Sequence, residues 1–413
     1  MRVAYKLRSA ALSLIALGSL SAGAVQWTWP QFHGPFRDNI SRETPLADAW
    51  PEEGPPLIWK ASGLGHGFSS VAVGRGIICT AGNVGDQTIV TALDEQGRVK
   101  WRAPNGPAWK RDFPGTRSTP TIDGDRVYHQ SPLGSLACFE TKSGRELWRI
   151  NVLRKFHSKP NKWGLAESVL VDGNRVISTP GGPETCVVAF DKYTGKLLWK
   201  SPTTNELAGY ASPILAEYKG LRIIITLTAK ALVGINAETG DLLWHVPHKS
   251  YADENIMMPI FHEGCVFIST LVAGSVKWKL EARGGKVQIK ELWRTKELDN
   301  HHGGVVLLKG YLYGTSTVRN AKKWVCLDWR TGKVLYAVRG VGKGSLTCAD
   351  GKLYTLSIDR KVGLVHPSPQ NFRLVSTFEI PKGGKGRSWA HPVVCNGRLY
   401  IRHGEFLYVY NVK

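Results

Sequence analysis

Nine side chains spaced along the chain are of types that bind ligands: His66, Arg117, Glu167, Tyr210, Met258, His301, His302, Trp389 and His391. Each falls at or just before the first β-rich stretch of a repeated unit. If those units close into a ring, these residues rim one mouth of its central funnel. Four histidines, a carboxylate and two aromatics converging there suit a metal ion or a small anionic ligand, and imidazole favours zinc, copper or nickel. Taken singly, each is equally an ordinary solvated or hydrogen-bonded side chain. No residue is assigned a catalytic role, and the metal, if any, is unspecified.

A second pattern is cationic. The stretch W101RAPNGPAWKRDFPGTR carries Arg102, Lys110, Arg111 and Arg117 against Asp112. The stretch R149INVLRKFHSKPNKW carries Arg154, Lys155, Lys159 and Lys162 with no acid. Lys343, Lys385 and Arg387 fall in equivalent loops. Net charge is +21, of which the first 24 residues contribute three. Such an excess favours anionic partners: an acidic envelope protein or an anionic glycan. It is equally the solvated surface of an alkaline protein.

Several chemistries lack their signatures. No G-x-S-x-G or H-E-x-x-H occurs, and no glycine pair lies in a phosphate-loop context. Seven cysteines are scattered singly, without C-x-x-C or vicinal pairs, so redox, zinc-ribbon and c-haem motifs are missing. Small buried thiols in strand-like text such as IIC79T and WVC326L are the expected outcome.

The N-terminus reads as a secretory signal over residues 1–24. Arg2, Lys6 and Arg8 precede an apolar run from Ala10 to Leu20 and a small-residue A22GA pattern. That run is too short to span a bilayer. The first cysteine is Cys79, so no lipid anchor is expected at the cleavage point, and the mature chain is expected to be a periplasmic or secreted monomer.

The elements that must position these residues come from a repeat. Aromatics recur at Trp59, Trp101, Trp148, Trp199, Trp244, Trp293, Tyr336 and Phe378, at intervals of 42 to 51 residues. In D191KYTGKLLW, N236AETGDLLW and D328WRTGKVLY a T-G turn leads into a short strand ending in the aromatic. Upstream lies a second turn, as in T121IDGDRVY and C395NGRLY, flanked by alternating apolar residues. The upstream turn glycines are read as Gly74, Gly124, Gly173, Gly220, Gly264, Gly310, Gly351 and Gly397. The span from each of the first seven to the next aromatic leaves room for three more strands. The last unit has three strands and no fourth, whereas P56LIWKA has a fourth and no first three. The expectation is an all-β, eight-bladed propeller of four-stranded antiparallel blades over 56–413. The N-terminal strand would pair with the last blade to close the ring, behind a lead-in segment at 25–55.

These motifs resemble the pyrroloquinoline-quinone (PQQ) repeat, and W29PQFHGPFRDNIS followed by W50PEEGPPLIWKA resembles the start of many exported bacterial members. The resemblance covers roughly 57–413. It implies kinship with the BamB family, a non-catalytic lipoprotein adaptor of outer-membrane barrel assembly, although the lipidation cysteine is missing. It also implies an alternative, the quinoprotein alcohol dehydrogenases, which hold PQQ and calcium beside a vicinal disulfide that this chain lacks. The expectation is an exported scaffold without cofactor. PQQ and calcium enter only under the dehydrogenase reading of alcohol or sugar oxidation.

Overall fold

A computed structural model of the chain describes residues 26–283, 286–318 and 321–413. The signal segment read at 1–24 lies outside the described residues. Eight sheets follow one another along the chain, each an antiparallel meander. Their inner strands are Ala72–Gly74, Thr121–Asp123, Leu170–Asp172, Ile214–Tyr218, Ile260–His262, Val305–Leu308, Gly344–Ala349 and Val393–Cys395, which define blades one to eight. The outer strand of blade eight is Leu57–Ala61, antiparallel to Phe406–Asn411 with Trp59 opposite Val409. The head of the chain therefore closes the ring on its tail. Among the described residues no helix is long and apolar enough to cross a membrane.

Two local signals recur from blade to blade. At Lys219-Gly220, Glu263-Gly264, Lys309-Gly310, Asp350-Gly351 and Asn396-Gly397 both turn residues have positive φ. That is the type I′ geometry whose twist matches the flanking strands. In blade one this turn is Arg75-Gly76. Gly74, read from sequence as the turn glycine, ends the inner strand instead.

The second signal ties blade to blade. The indole of Trp101 donates through Nε1 to Thr141 O of the next blade at 2.9 Å, and Trp148 donates to Lys192 O at 3.0 Å. The T-G glycine fits because it has no side chain: a Cβ on Gly144 would stand 2.5 Å from the Trp101 ring. Trp59 meets Gly97, Trp199 meets Gly240 and Trp293 meets Gly332 in the same manner. The core accordingly forms layers between blades. Val90 and Trp101 of blade one pack on Val127 and Phe139 of blade two, and Tyr354 and Phe378 of blade seven pack on Leu399 and Tyr410 of blade eight.

The lead-in segment crosses the axis of the ring. Trp29 exchanges two backbone hydrogen bonds of 2.8 Å with Val73 in blade one, and Pro30 O accepts from Ile122 N in blade two. The Arg37 guanidinium donates to Ser168 O and Val169 O ahead of blade three and to Pro213 O ahead of blade four. Asn39 donates to Leu346 O in blade seven. Ile40–Ser41 then adds a fifth, parallel strand to that blade against Cys348 and Ala349, where the sequence had led us to expect four. Leu46 and Trp50 pack between blades seven and eight before the chain becomes the closing strand. His33, Gly34, Arg37 and Asn39 all have positive φ, a strained path held by these many contacts.

Candidate functional site

Above this plug lies a cup of about 350 Å³, within the size range of small-molecule sites. Phe32 and His33 of the lead-in segment form its floor. Its walls are the loops that enter the inner strands. Of the nine funnel residues read from sequence, Arg117, Tyr210, Met258, His301, His302, Trp389 and His391 line it.

Glu167 and His66 do not. Ala166 and Ser168 face the cup, so the alternation of an extended chain turns Glu167 between them to the other side. There it is buried and accepts from Gln130 Nε2, Ser178 Oγ and Thr179 N at 2.7–3.0 Å. Burial raises its pKa against those hydrogen bonds. His66 pairs by backbone with Asn83, and its ring packs edge-on against Phe68 outside the wall.

Side chains that sequence reasoning did not assign to the site complete it: Phe32, His33, Phe113, Trp163, Glu254 and Lys343. Lys343 had read as a surface cation and instead turns inward. Glu254 and Trp163 sit a few residues upstream of the inner strands, so a wider window on each repeat unit finds them. Phe32 and His33 precede the first unit, and no periodicity reveals them.

The histidines form a relay rather than an open cluster. His391 donates Nε2–H to His302 O at 2.7 Å. A neutral His391 therefore accepts at Nδ1, from His33 Nε2 at 3.0 Å. Burial holds His391 down to about 4 and His33 well below the usual imidazole range, the latter helped by His391 and Arg37. His302 is likewise depressed, first by burial and then by His301 and Lys343. Among the described residues no group of three or more His, Cys, Asp or Glu is placed to hold a metal ion.

The charged wall is cationic. Lys343 Nζ reaches His301 Nδ1 at 2.9 Å, and His301 Nε2 lies 3.1 Å from Glu254 Oε2, too poorly aligned for a hydrogen bond. Burial lowers the Lys343 ammonium to about 8. Arg117 donates only to the carbonyls of Gly115 and Phe113 and stands 5.4 Å over the Phe68 ring; burial lowers it to about 10. Arg387 completes this side. None of the three has a carboxylate partner within ion-pair distance among the described residues. Aromatic rings supply the rest: Trp389 contacts Phe68, Phe113 and His302 at centroid distances of 4.8–5.2 Å, and Trp163 packs on Tyr210.

Of the basic loop residues read from sequence, Arg387 lines the cup. Lys110, Arg111, Arg154, Lys155, Lys159, Lys162, Lys385 and Arg387 are all exposed. Only Lys110 has an acidic partner among the described residues, Asp86. Arg154 and Lys155 sit on the short helix Val152–Lys155, capped by Asn151. Lys162 lies 4.7 Å over the ring of Trp163, which joins the basic loops to the cup wall. All seven cysteines are buried and unpaired.

Comparison with known proteins places this architecture. A family model described as "Outer membrane protein assembly factor BamB" matches residues 85–338. The outer membrane protein assembly factor BamB of Bordetella pertussis is 27% identical over 182 residues, covering 43% of this chain and 41% of that protein. The quinoprotein alcohol dehydrogenase PedH of Pseudomonas putida is 24% identical over 204 residues, covering 46% of this chain and 31% of its own length. The aligned part of the chain thus spans less than half of either relative. The crystal structure of BamB from Moraxella catarrhalis superposes with a TM-score of 0.60 at 14% identity, covering 86% of this chain and 99% of that one, a likeness of fold.

Proposed function

Because the chain belongs to the PQQ-repeat propeller family described as outer membrane protein assembly factor BamB, we propose that it is a non-catalytic binding scaffold of the cell envelope. It captures an anionic partner on the loop face that carries the cup. One observation carries this reading: seven of the eight exposed loop cations lack acidic partners within the described residues, and two further cations, Arg117 and Lys343, line the cup wall unneutralised. A surface so arranged attracts anions over a Debye length and releases them as salt rises.

The signal-like N-terminus and the resemblance to exported members support a periplasmic or secreted location. The dehydrogenase alternative fits the cup less well. Calcium needs six to eight oxygen ligands, and the cup offers one carboxylate, Glu254, among imidazoles and cations.

Retention on a polygalacturonate resin tests the proposal. The triple variant Lys155→Glu/Lys159→Glu/Lys162→Glu is expected to elute at much lower salt than the wild-type chain. The same charge change on the opposite face, Lys142→Glu/Lys219→Glu/Lys309→Glu, is expected to matter far less. Equal loss in both variants would mean diffuse attraction by net charge and would remove the loop-face reading.

A further inference from the structure

The cup's chemistry is more specific than its charge. A purely anionic guest, such as an acidic peptide side chain, satisfies Arg117, Arg387 and Lys343 but brings no donor for the carboxylate beside them. Glu254 is nearly buried, and its Oε2 has only the poorly aligned His301 Nε2 beside it at 3.1 Å and no hydrogen-bond partner in the described structure, as is true of Nε2 of the half-buried His302. Unpaired polar atoms of this kind are costly, so a guest that supplies donors as well as an anion gains most from them. The remaining walls are flat and apolar: Trp389 and Trp163 are partly exposed, and Phe113 stands at the rim. Flat rings bury the C–H face of a sugar ring while its hydroxyls stay at the edge, free to hydrogen-bond.

The geometry points to a binding site for a carboxylated sugar residue, a uronic acid at the end of an acidic glycan chain. In this arrangement the ring stacks on Trp389, its carboxylate lies toward Arg117 and Lys343, and a hydroxyl donates to Glu254. A guanidinium suits the planar carboxylate through two parallel N–H donors. The volume of about 350 Å³ admits a chain end rather than the run of a polymer. This inference rests on the anion-binding reading of the same face and narrows it. The exposed lysines at 155, 159 and 162 then hold the following acidic residues of the chain.

Titration with digalacturonic acid, followed by tryptophan fluorescence and calorimetry, tests this. The wild-type chain is expected to bind it at least tenfold more tightly than neutral galactobiose or a hexaglutamate peptide. Lys343→Met and Trp389→Ala are each expected to weaken binding tenfold or more, whereas Lys290→Ala on an outer strand leaves it unchanged. Near-ultraviolet circular dichroism reports whether the Trp389 variant keeps its fold, and Trp389→Phe serves in its place if it does not. Equal affinity for the neutral sugar, tighter binding of hexaglutamate, or binding indifferent to Lys343→Met would overturn the proposal. Retention on polygalacturonate resin with no response to the dimer would sink the cup assignment alone. Loss of both would sink the anion-binding reading as well.

Discussion

His33 Nε2 lies 3.0 Å from His391 Nδ1, which joins the segment that crosses the ring to the loop entering its last blade. Both imidazoles are nearly buried, and burial depresses both pKa values, that of His391 to about 4. A free imidazole titrates near 6.5. Between about pH 6.5 and 4 the unfolded chain therefore binds protons that the folded chain refuses, and stability falls as pH drops. Each such proton is worth about 1.4 kcal/mol per pH unit. His33→Asn keeps a donor to His391 and is expected to flatten this fall by roughly one proton, read from urea midpoints across the window. An unchanged slope would show that His33 is exposed.

Arg37 has no carboxylate partner in the described structure; it is held by the carbonyls of Pro213, Ser168 and Val169. Arg37→Met removes the donor to Pro213 O and Ser168 O, while Val169 O keeps the Thr121 hydroxyl. The expected loss is about 3 kcal/mol of unfolding free energy. A variant within about 0.5 kcal/mol of the parent, the usual range for surface changes, would mean that the segment is not anchored there.

The blade-to-blade contacts make a paired comparison possible. Gly144 and Gly124 both have positive φ, but a Cβ at Gly144 meets the Trp101 ring at 2.5 Å whereas one at Gly124 meets nothing within 4 Å. Gly124→Ala carries only the backbone penalty of about 1 kcal/mol. Gly144→Ala adds displacement of a buried indole and is expected to cost about 2 kcal/mol more. Thermal melts of the two variants compare them directly, and equal melts would deny the interlocking role of Trp101.

Much of this was legible before the structure. The blade count and ring closure followed from aromatics at near-constant spacing, because the repeat is a chain of local signals: a turn, a strand, a docked ring. Seven of the nine residues read onto the funnel line the cup, since the start of each inner strand is itself periodic. Glu167 faces away from the cup because a single residue of register swaps the two sides of an extended chain. The plug was illegible for a different reason. Trp29, Pro30, His33, Arg37 and Asn39 find partners 44 to 358 residues away, in six different blades, and no local pattern encodes contacts of that range.

Both the stability predictions and the floor of the cup depend on the lead-in segment being built into the axis. Hydrogen–deuterium exchange measures this without mutation. Peptides covering residues 27–41 are expected to be protected as strongly as those of the inner strands, because the amide of Trp29 is bonded to Val73 of blade one and that of Asn39 to His33 within the buried segment. Exchange of that segment at the rate of a free peptide would contradict the account, leaving the cup without a floor.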